Sequence, residues 1–446
     1  MVPHLVTALS GPLLDLEKKM LAATPAIERW FRLEWQEHMP PFYCSVELRN
    51  AGFKLAPVGT GLFPDGFNNL SPEMLPLSVQ AAMAAIEKYC PDAKNLLLVP
   101  GLNTDNPFYL QNVARLMQIF RQTGLHVRLG SLSEEISEPT PIELPDGNIL
   151  TLEPMVRSEN GRRLGLKNFD PCTILLNNDL SAGIPSVLEN TYEQNLLPPL
   201  HAGSAMRRKS NHLSAYDEVV KKFAKLLEVD AWMLNPYFAR SAAVDLRQQS
   251  GEDQLVATID QVLAKIRKKY KEYGIKETPF VTVKAETVTA EDDIVTVRDA
   301  AQLRAFCRSR REQAAGGEED SGAVDLIVQE DVPTFEHIND CVAEPVVYMM
   351  DRYVVGGFYR VQAGRGAKDE RTENAYEDTN PDAPAPPPGT HFVPLAFAQE
   401  HALPDMQAKP GTAAPNRFYM YGVVARLALL AASVELEKTD PNPEVY

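Results

Sequence analysis

The chain has 446 residues, 44% hydrophobic and 23% charged, enough for two or three domains around a large core. A formal net charge of −16 argues against a nucleic-acid binder, which carries a basic face. No apolar run reaches the ~18–20 residues of a membrane span, Arg426 to Val434 reads as a short buried helix, and no basic leader opens the chain, so a cytoplasmic protein is expected.

In chain order, Leu13, Leu16, Met20, Ile27, Phe31 and Trp35 recur at three- and four-residue steps, which predicts one amphipathic helix over 12–38. A strand is expected over 42–49, followed by a Gly- and Asn-rich loop over 58–70. A helix over 76–89, a buried strand over 95–100, a helix over 108–123 and strands over 126–130 and 173–178 read as α/β units on a parallel sheet. An Asp-Gly turn within 144–154 marks a hairpin. Residues 203–275 read as helical, with helices over 214–227 and 252–273. Strands then dominate, over 279–284, 293–297, 324–329, 344–349 and 353–361, before a last helix over 420–437. The stretches 312–322 and 364–390, rich in Gly, Pro and acids, read as disordered.

The five cysteines form no CxxC pair, and the eight histidines form no HxH or HxxxH cluster. Free thiols in a reducing compartment and no structural zinc site are expected. The run Arg207-Arg208-Lys209 reads either as a solvated helix end or as an anion contact.

The C-terminal half holds an ordered set of chemically useful residues. Lys284 ends one strand, and another runs into Gln329-Glu330. Arg352 and Arg360 lie on a two-stranded unit turning near Gly356-Gly357. A Lys neutralises phosphate as a point charge, and Arg grips phosphate or carboxylate with two parallel hydrogen bonds.

These residues sit in long segments: FKLAPVGTGLFPDGFNNL, ILLNNDLSAGIP, LPPLHAGSAMRRKSNH, MLNPYFAR, KKYKEYGIKETPFVTVKA, VAEPVVYMMDRYVVGGFYRV and NRFYMYGVVARLALLAA. Through them the chain resembles the proteobacterial, thiobacillus-type glutamate–cysteine ligase family over nearly its whole length. The resemblance implies an ATP-grasp-like α/β protein. It would have an N-terminal α/β substrate-side domain with a parallel sheet over 1–200, a helical segment over 201–275 and a C-terminal ATP-grasp-like α+β domain over 276–446. It also implies ATP and Mg²⁺, glutamate and cysteine as substrates, a possible homo-oligomer or protein partner, and the first step of glutathione synthesis. Carried over residue by residue, it gives Arg352 and Arg360 as catalytic, and Lys284, Gln329 and Glu330 as nucleotide contacts. Arg49, Asn68, Asn69, Asn178, Asp179 and Arg208 become substrate contacts, and Asp378 with Asn380 stands for the family's Glu-x-Asn metal motif.

The departures fall at polar positions. Three flap glycines of the family fall on Val288, Glu291 and Asp293, where backbone amides should meet phosphate and only Gly bends cheaply. Glu291, Asp292 and Asp293 put carboxylates there, and one charge about 4 Å from a phosphate costs ~4 kcal/mol at an effective dielectric of ~20. Gly59 and Gly61 replace an Asp and an Asn, and the stretch 101–106 lacks the family's Glu, His and Arg. The pattern reads as a retained fold with degenerate chemistry, a pseudoenzyme; the alternative is an active ATP-dependent carboxylate–amine ligase with the family's or a shifted substrate pair.

Overall fold

The computed structural model describes residues 5–8, 11–102, 106–191, 193–245, 250–287, 295–314, 323–362, 390–395 and 417–441. The flap positions 288–294, residues 103–105, Glu373, Asn374, Asp378 and Asn380 lie outside them.

The N-terminal strand β1 (Leu5–Val6) precedes helices α1 (Pro12–Ala22) and α2 (Thr24–Glu37). The single helix expected over 12–38 is thus two, because Pro25 lacks an N–H and is tolerated only in a first turn. Strand β2 (Tyr43–Asn50) pairs antiparallel with β3 (Leu55–Gly61), so the expected loop begins as a strand through Val58, Gly59, Thr60 and Gly61. The loop proper carries Gly66 at φ 86°, where an added Cβ would stand 2.6 Å from the Tyr348 hydroxyl. Only glycine fits that turn.

The α/β units follow as read: α3 (Leu75–Tyr89), β4 (Asn95–Pro100), α4 (Pro107–Gln122) and β5 (His126–Ser131). The hairpin β6 (Thr140–Glu143) and β7 (Ile149–Pro154), the small pair β8 (Val156–Arg157) and β9 (Leu164–Gly165), then β10 (Thr173–Asn177) and β11 (Asn195–Leu197) complete this half. Strands β11, β10, β4, β5 and β7 run parallel, with β6 antiparallel at the edge. The central strands β4 and β10 are almost wholly buried, as their unbroken apolar runs demand.

Helix α5 (Lys209–Leu227) leads to β12 (Phe238–Val244), then α6 (Glu252–Tyr273), β13 (Val281–Ala285), β14 (Val295–Val297), α7 (Ala300–Ala314) and β15 (Val324–Glu330). Two of these correct the sequence reading. Segment 238–244, FARSAAV, is poor in β-formers and is a strand because it pairs with β15. Helix α7 buries only a sparse stripe at Leu303 and Cys307, too thin to stand out, and it includes Glu312 to Ala314 from the stretch read as disordered.

The last strands are β16 (His337–Ile338), β17 (Cys341–Met350), β18 (Tyr353–Gln362) and β19 (Thr390–Pro394), so Thr390 too is ordered. They join β1, β2 and β3 in a seven-stranded sheet built from both ends of the chain. Helix α8 (Arg417–Thr439) packs against it and α5. This helix is longer than the run read from the sequence. It has the length and apolarity to cross a membrane, but 83% of its most apolar window is buried inside the protein.

Cys90, just after α3, and Cys172, just before β10, form a disulfide across 82 residues. The expectation of free thiols holds only for Cys44, Cys307 and Cys341. Spacing along the chain gave no sign of the pair, because the parallel sheet is what brings them together.

Candidate active site

A cavity of about 170 Å³ opens between the seven-stranded sheet, the four-stranded sheet β12-β15-β13-β14 and the start of α5. Its seven-stranded wall follows from strand alternation. In β2, Cys44, Val46 and Leu48 face the core, while Ser45, Glu47 and Arg49 lie on the other face. Glu344 of β17 is directly opposite Arg360 of β18, and Val346 is opposite both Glu47 and Phe358.

This register builds a ladder of buried charges. Arg360 donates to both oxygens of Glu47, at 2.9 and 3.1 Å, and to Glu344 at 2.9 Å. Arg49 donates to the other oxygen of Glu344 at 3.1 Å and to Asp331, which accepts from Thr282 at 2.8 Å. Burial alone would raise Glu344, but Arg49 and Arg360 outweigh it and hold the carboxyl down at about 2. Glu47 and Arg360 line the cavity; Arg49, Glu344 and Asp331 stand behind them. Asp65 lines it as well, in the turn that Gly66 makes possible, with its backbone carbonyl accepting from Tyr348 at 2.6 Å. Burial, with the nearby Glu47, pushes its carboxyl up to about 6.

The opposite wall is cationic. Arg207, Lys209 and Lys284 line it with Gln329. Adjacent strand residues point to opposite faces, so Gln329 reaches the cavity while Glu330 points into the α6 side. There Glu330 pairs with Lys54 at 2.9 Å and accepts from the Trp232 indole at 3.0 Å and the Tyr237 amide at 2.8 Å. The same alternation through the extended Arg208 sends Arg207 and Lys209 inward, while Arg208 meets Asp325 at 3.3 Å near the surface.

The remaining expected residues separate in the same way. Asn69 lines the cavity, and Asn68 donates to it at 3.5 Å. Asn178 and Asp179 leave the carboxyl end of β10, where open α/β sheets place ligands. Asn178 caps its own turn, accepting from the Leu180 amide at 2.8 Å. Asp179 accepts from the cavity-lining Ser204 at 2.9 Å, so both support the wall from behind. Arg352 lies at the β17–β18 turn, donating to the Tyr353 hydroxyl at 3.2 Å, away from the cavity. Gly59 and Gly61 line the cavity, whereas the Gly101 amide donates to Tyr109 at 2.6 Å behind it.

Sequence reasoning gave no role to Glu47, Asp65, Thr60 or His212, all of which line the cavity. Only Glu47 carried a signal, a charge two residues from Arg49 on a strand where Cys44, Val46 and Leu48 fill the alternate positions. His212, in the first turn of α5, touches Thr60 of β3 and Glu435 of α8. Arg207 donates to both oxygens of Glu435, at 2.9 and 2.7 Å. Burial would raise Glu435, but Arg207 and His212 outweigh it and hold it at about 2. Burial pulls the His212 imidazole below its usual value in spite of Glu435.

A family model described as glutamate-cysteine ligase matches residues 17–436. The chain belongs to the glutamate-cysteine ligase family. A solved structure from Methylobacillus flagellatus KT, provisionally named a gamma-glutamylcysteine synthetase, is 53% identical. The match covers 99% of this chain and 100% of that one, with a TM-score of 0.86. Two distant structures also match. D-alanyl-alanine synthetase A of Vibrio cholerae O1 biovar eltor is 13% identical over 75% of this chain and 81% of its own, at TM-score 0.33. A glutathione synthetase-like effector of Globodera pallida is 11% identical over 79% and 84%, at TM-score 0.36. No curated protein sequence matches the chain.

For a ligase of this family the cavity is small. Pockets for drug-sized ligands run to roughly 300–1,000 Å³, so about 170 Å³ suits an amino acid better than a whole nucleotide. Lys284, Lys209 and Arg207 on one wall are donors of the kind a polyphosphate end requires. Among the described residues no three His, Cys, Asp or Glu side chains are grouped to hold a metal.

Proposed function

We propose that this chain is an ATP-dependent carboxylate–amine ligase, joining the γ-carboxylate of glutamate to the amine of cysteine. One observation carries the reading. An amino-acid-sized cavity sets the carboxylates of Glu47 and Asp65 against the cations of Arg207, Lys209 and Lys284. Such a site matches a zwitterion that carries an extra carboxylate. In this reading Asp65 faces the substrate ammonium, Lys209 its carboxylates, and Lys284 with Gln329 the nucleotide side of an ATP-grasp-like arrangement, while Arg360 and Glu435 hold Glu47 and Arg207 in place. Bound ATP with Mg²⁺ would supply the phosphoryl group that activates the carboxylate. Asp378 and Asn380 are the candidate metal contacts.

A second reading, the degenerate ligase, is favoured by the three successive acids Glu291, Asp292 and Asp293. Calorimetry with ATP and Mg²⁺, followed by ADP release on adding glutamate and cysteine, separates the two. The ligase reading expects saturable ATP binding, ADP release that needs both amino acids, and a γ-glutamyl dipeptide by mass spectrometry. It also expects Lys284→Ala to lose most of the turnover. Absence of ATP binding would leave the degenerate reading standing.

A further inference from the structure

We infer that Thr60, His212 and Glu435 form the proton path that deprotonates the attacking amine. This inference rests on the ligase reading above. The amine nucleophile is a cation in neutral solution and has no lone pair until a proton leaves, so a ligation site needs an acceptor beside the cavity.

Three distant segments supply one. Glu435 Oε2 lies 2.9 Å from His212 Nδ1, and His212 Nε2 lies 3.0 Å from Thr60 Oγ1. Thr60 and His212 line the cavity, and Glu435 is buried behind them. The order carboxylate, imidazole, hydroxyl is that of a catalytic triad, read by role rather than by sequence position. Nδ1 meets both the acceptor Glu435 Oε2 and the donor Arg207 Nη2; the proton path uses the tautomer in which Nδ1 donates to Glu435, which leaves the Nε2 lone pair facing the Thr60 hydroxyl. Arg207 completes the assembly. It grips Glu435 with two hydrogen bonds, donates to the Thr60 carbonyl at 2.8 Å and places Nη2 3.0 Å from His212 Nδ1.

The charged groups facing His212 are therefore Glu435 from α8, Arg207 from the chain entering α5 and Lys284 from β13. Burial, Arg207 and Lys284 keep the imidazole neutral, as a base must be before reaction. Glu435 stabilises the imidazolium once it forms.

The step balances. The ammonium proton passes to Thr60 Oγ1 as the Thr60 proton passes to His212 Nε2. The freed lone pair forms the N–C bond at the activated carboxyl carbon, the leaving group departs with the C–O electron pair, and the second nitrogen-bound proton passes to the departing oxygen, which leaves a neutral amide. Thr60 touches the substrate; Glu435 and Arg207 are positioning residues.

The test compares cysteine with hydroxylamine, a nucleophile already neutral near pH 7, in wild type, His212→Gln and Thr60→Val. Thr60→Val keeps the β-branched shape that the strand needs. General-base loss predicts a ~10²-fold fall in kcat with cysteine for His212→Gln. It predicts at least a roughly 10-fold fall for Thr60→Val, with hydroxamate formation reduced less than about threefold in both. The rise of kcat with pH should flatten in His212→Gln, and added imidazole should restore cysteine turnover to His212→Ala. Equal losses with both nucleophiles, or an unchanged pH profile, would overturn the inference while leaving the ligase reading intact. A wild type that makes neither product would overturn both.

Discussion

The cavity's two charged walls are built on opposite principles. On the seven-stranded sheet, Glu47, Arg360, Glu344 and Arg49 alternate in sign, and with Asp331, which follows β15, they saturate one another. On the α5–α8 side, one carboxylate serves two basic groups, and an imidazole nitrogen is left to meet a hydroxyl at the cavity surface. The first wall fixes shape and charge. The second is equipped to move a proton. Buried charge therefore does not by itself mark chemistry; what marks it is a titratable atom whose remaining valence faces the cavity.

The comparison breaks most visibly at Glu344. Glu344→Ala would leave Arg49 and Arg360 buried with too few partners, a loss of ~3–5 kcal/mol of the kind seen when one member of a buried pair is removed. Urea unfolding at neutral pH measures it, and a loss below about 1 kcal/mol would show the ladder to be ornamental.

Acid sharpens the contrast next. Glu344 and Glu435 titrate at about 2 in the fold against a usual 4.5. Depressed carboxylates lend stability that is complete above the unfolded value and is lost as pH falls through the folded one. Melting temperature should thus hold down to about pH 4.5 and then drop steeply toward pH 2. Asp65 has the reverse sign, about 6 in the fold against 3.8. Its ionisation opposes folding above about pH 6, and that penalty vanishes below 3.8. Asp65→Asn should gain about 1 kcal/mol near pH 8, discounted for partial exposure, and nothing near pH 3.8. Its affinity for the amino acid should fall at the same time. A variant neither stabilised nor weakened in binding would remove Asp65 from the substrate's surroundings.

The smallest effect is expected at Arg352. Its partner is the neighbouring Tyr353 at a hairpin end, so Arg352→Ala should change stability by less than ~0.5 kcal/mol and turnover by less than about twofold. A large loss of turnover would return it to the active site.

Much of the fold was legible because its signals are local. Apolar runs gave β4 and β10, and three- and four-residue periodicity gave α3 through α6. What escaped depended on partners: β12 exists through β15, and the Cys90–Cys172 pair exists through the parallel sheet. Of the candidate site residues, Lys284, Gln329, Asn69 and Arg360 came to line the cavity. Glu330, Arg208 and Arg49 did not. Alternation along an extended chain separates Gln329 from Glu330 and Arg207 from Arg208, and applying that period to each pair would have sorted them. Thr60, His212 and Glu435 offered no local pattern, since three separate elements converge to place them.

The seven-stranded sheet has one more implication, for the order in which the protein is made. Roughly 300 residues separate Glu47 from its strand partner Val346. At a synthesis rate of ~5–20 residues per second, β2 emerges some 15–60 s before β17 can cover its edge. For that interval a nascent hairpin with one apolar face stands open to pairing with neighbouring chains. Expression yield should therefore depend on holdase chaperones and fall with crowded polysomes, a liability set by topology and indifferent to how stable the finished protein becomes.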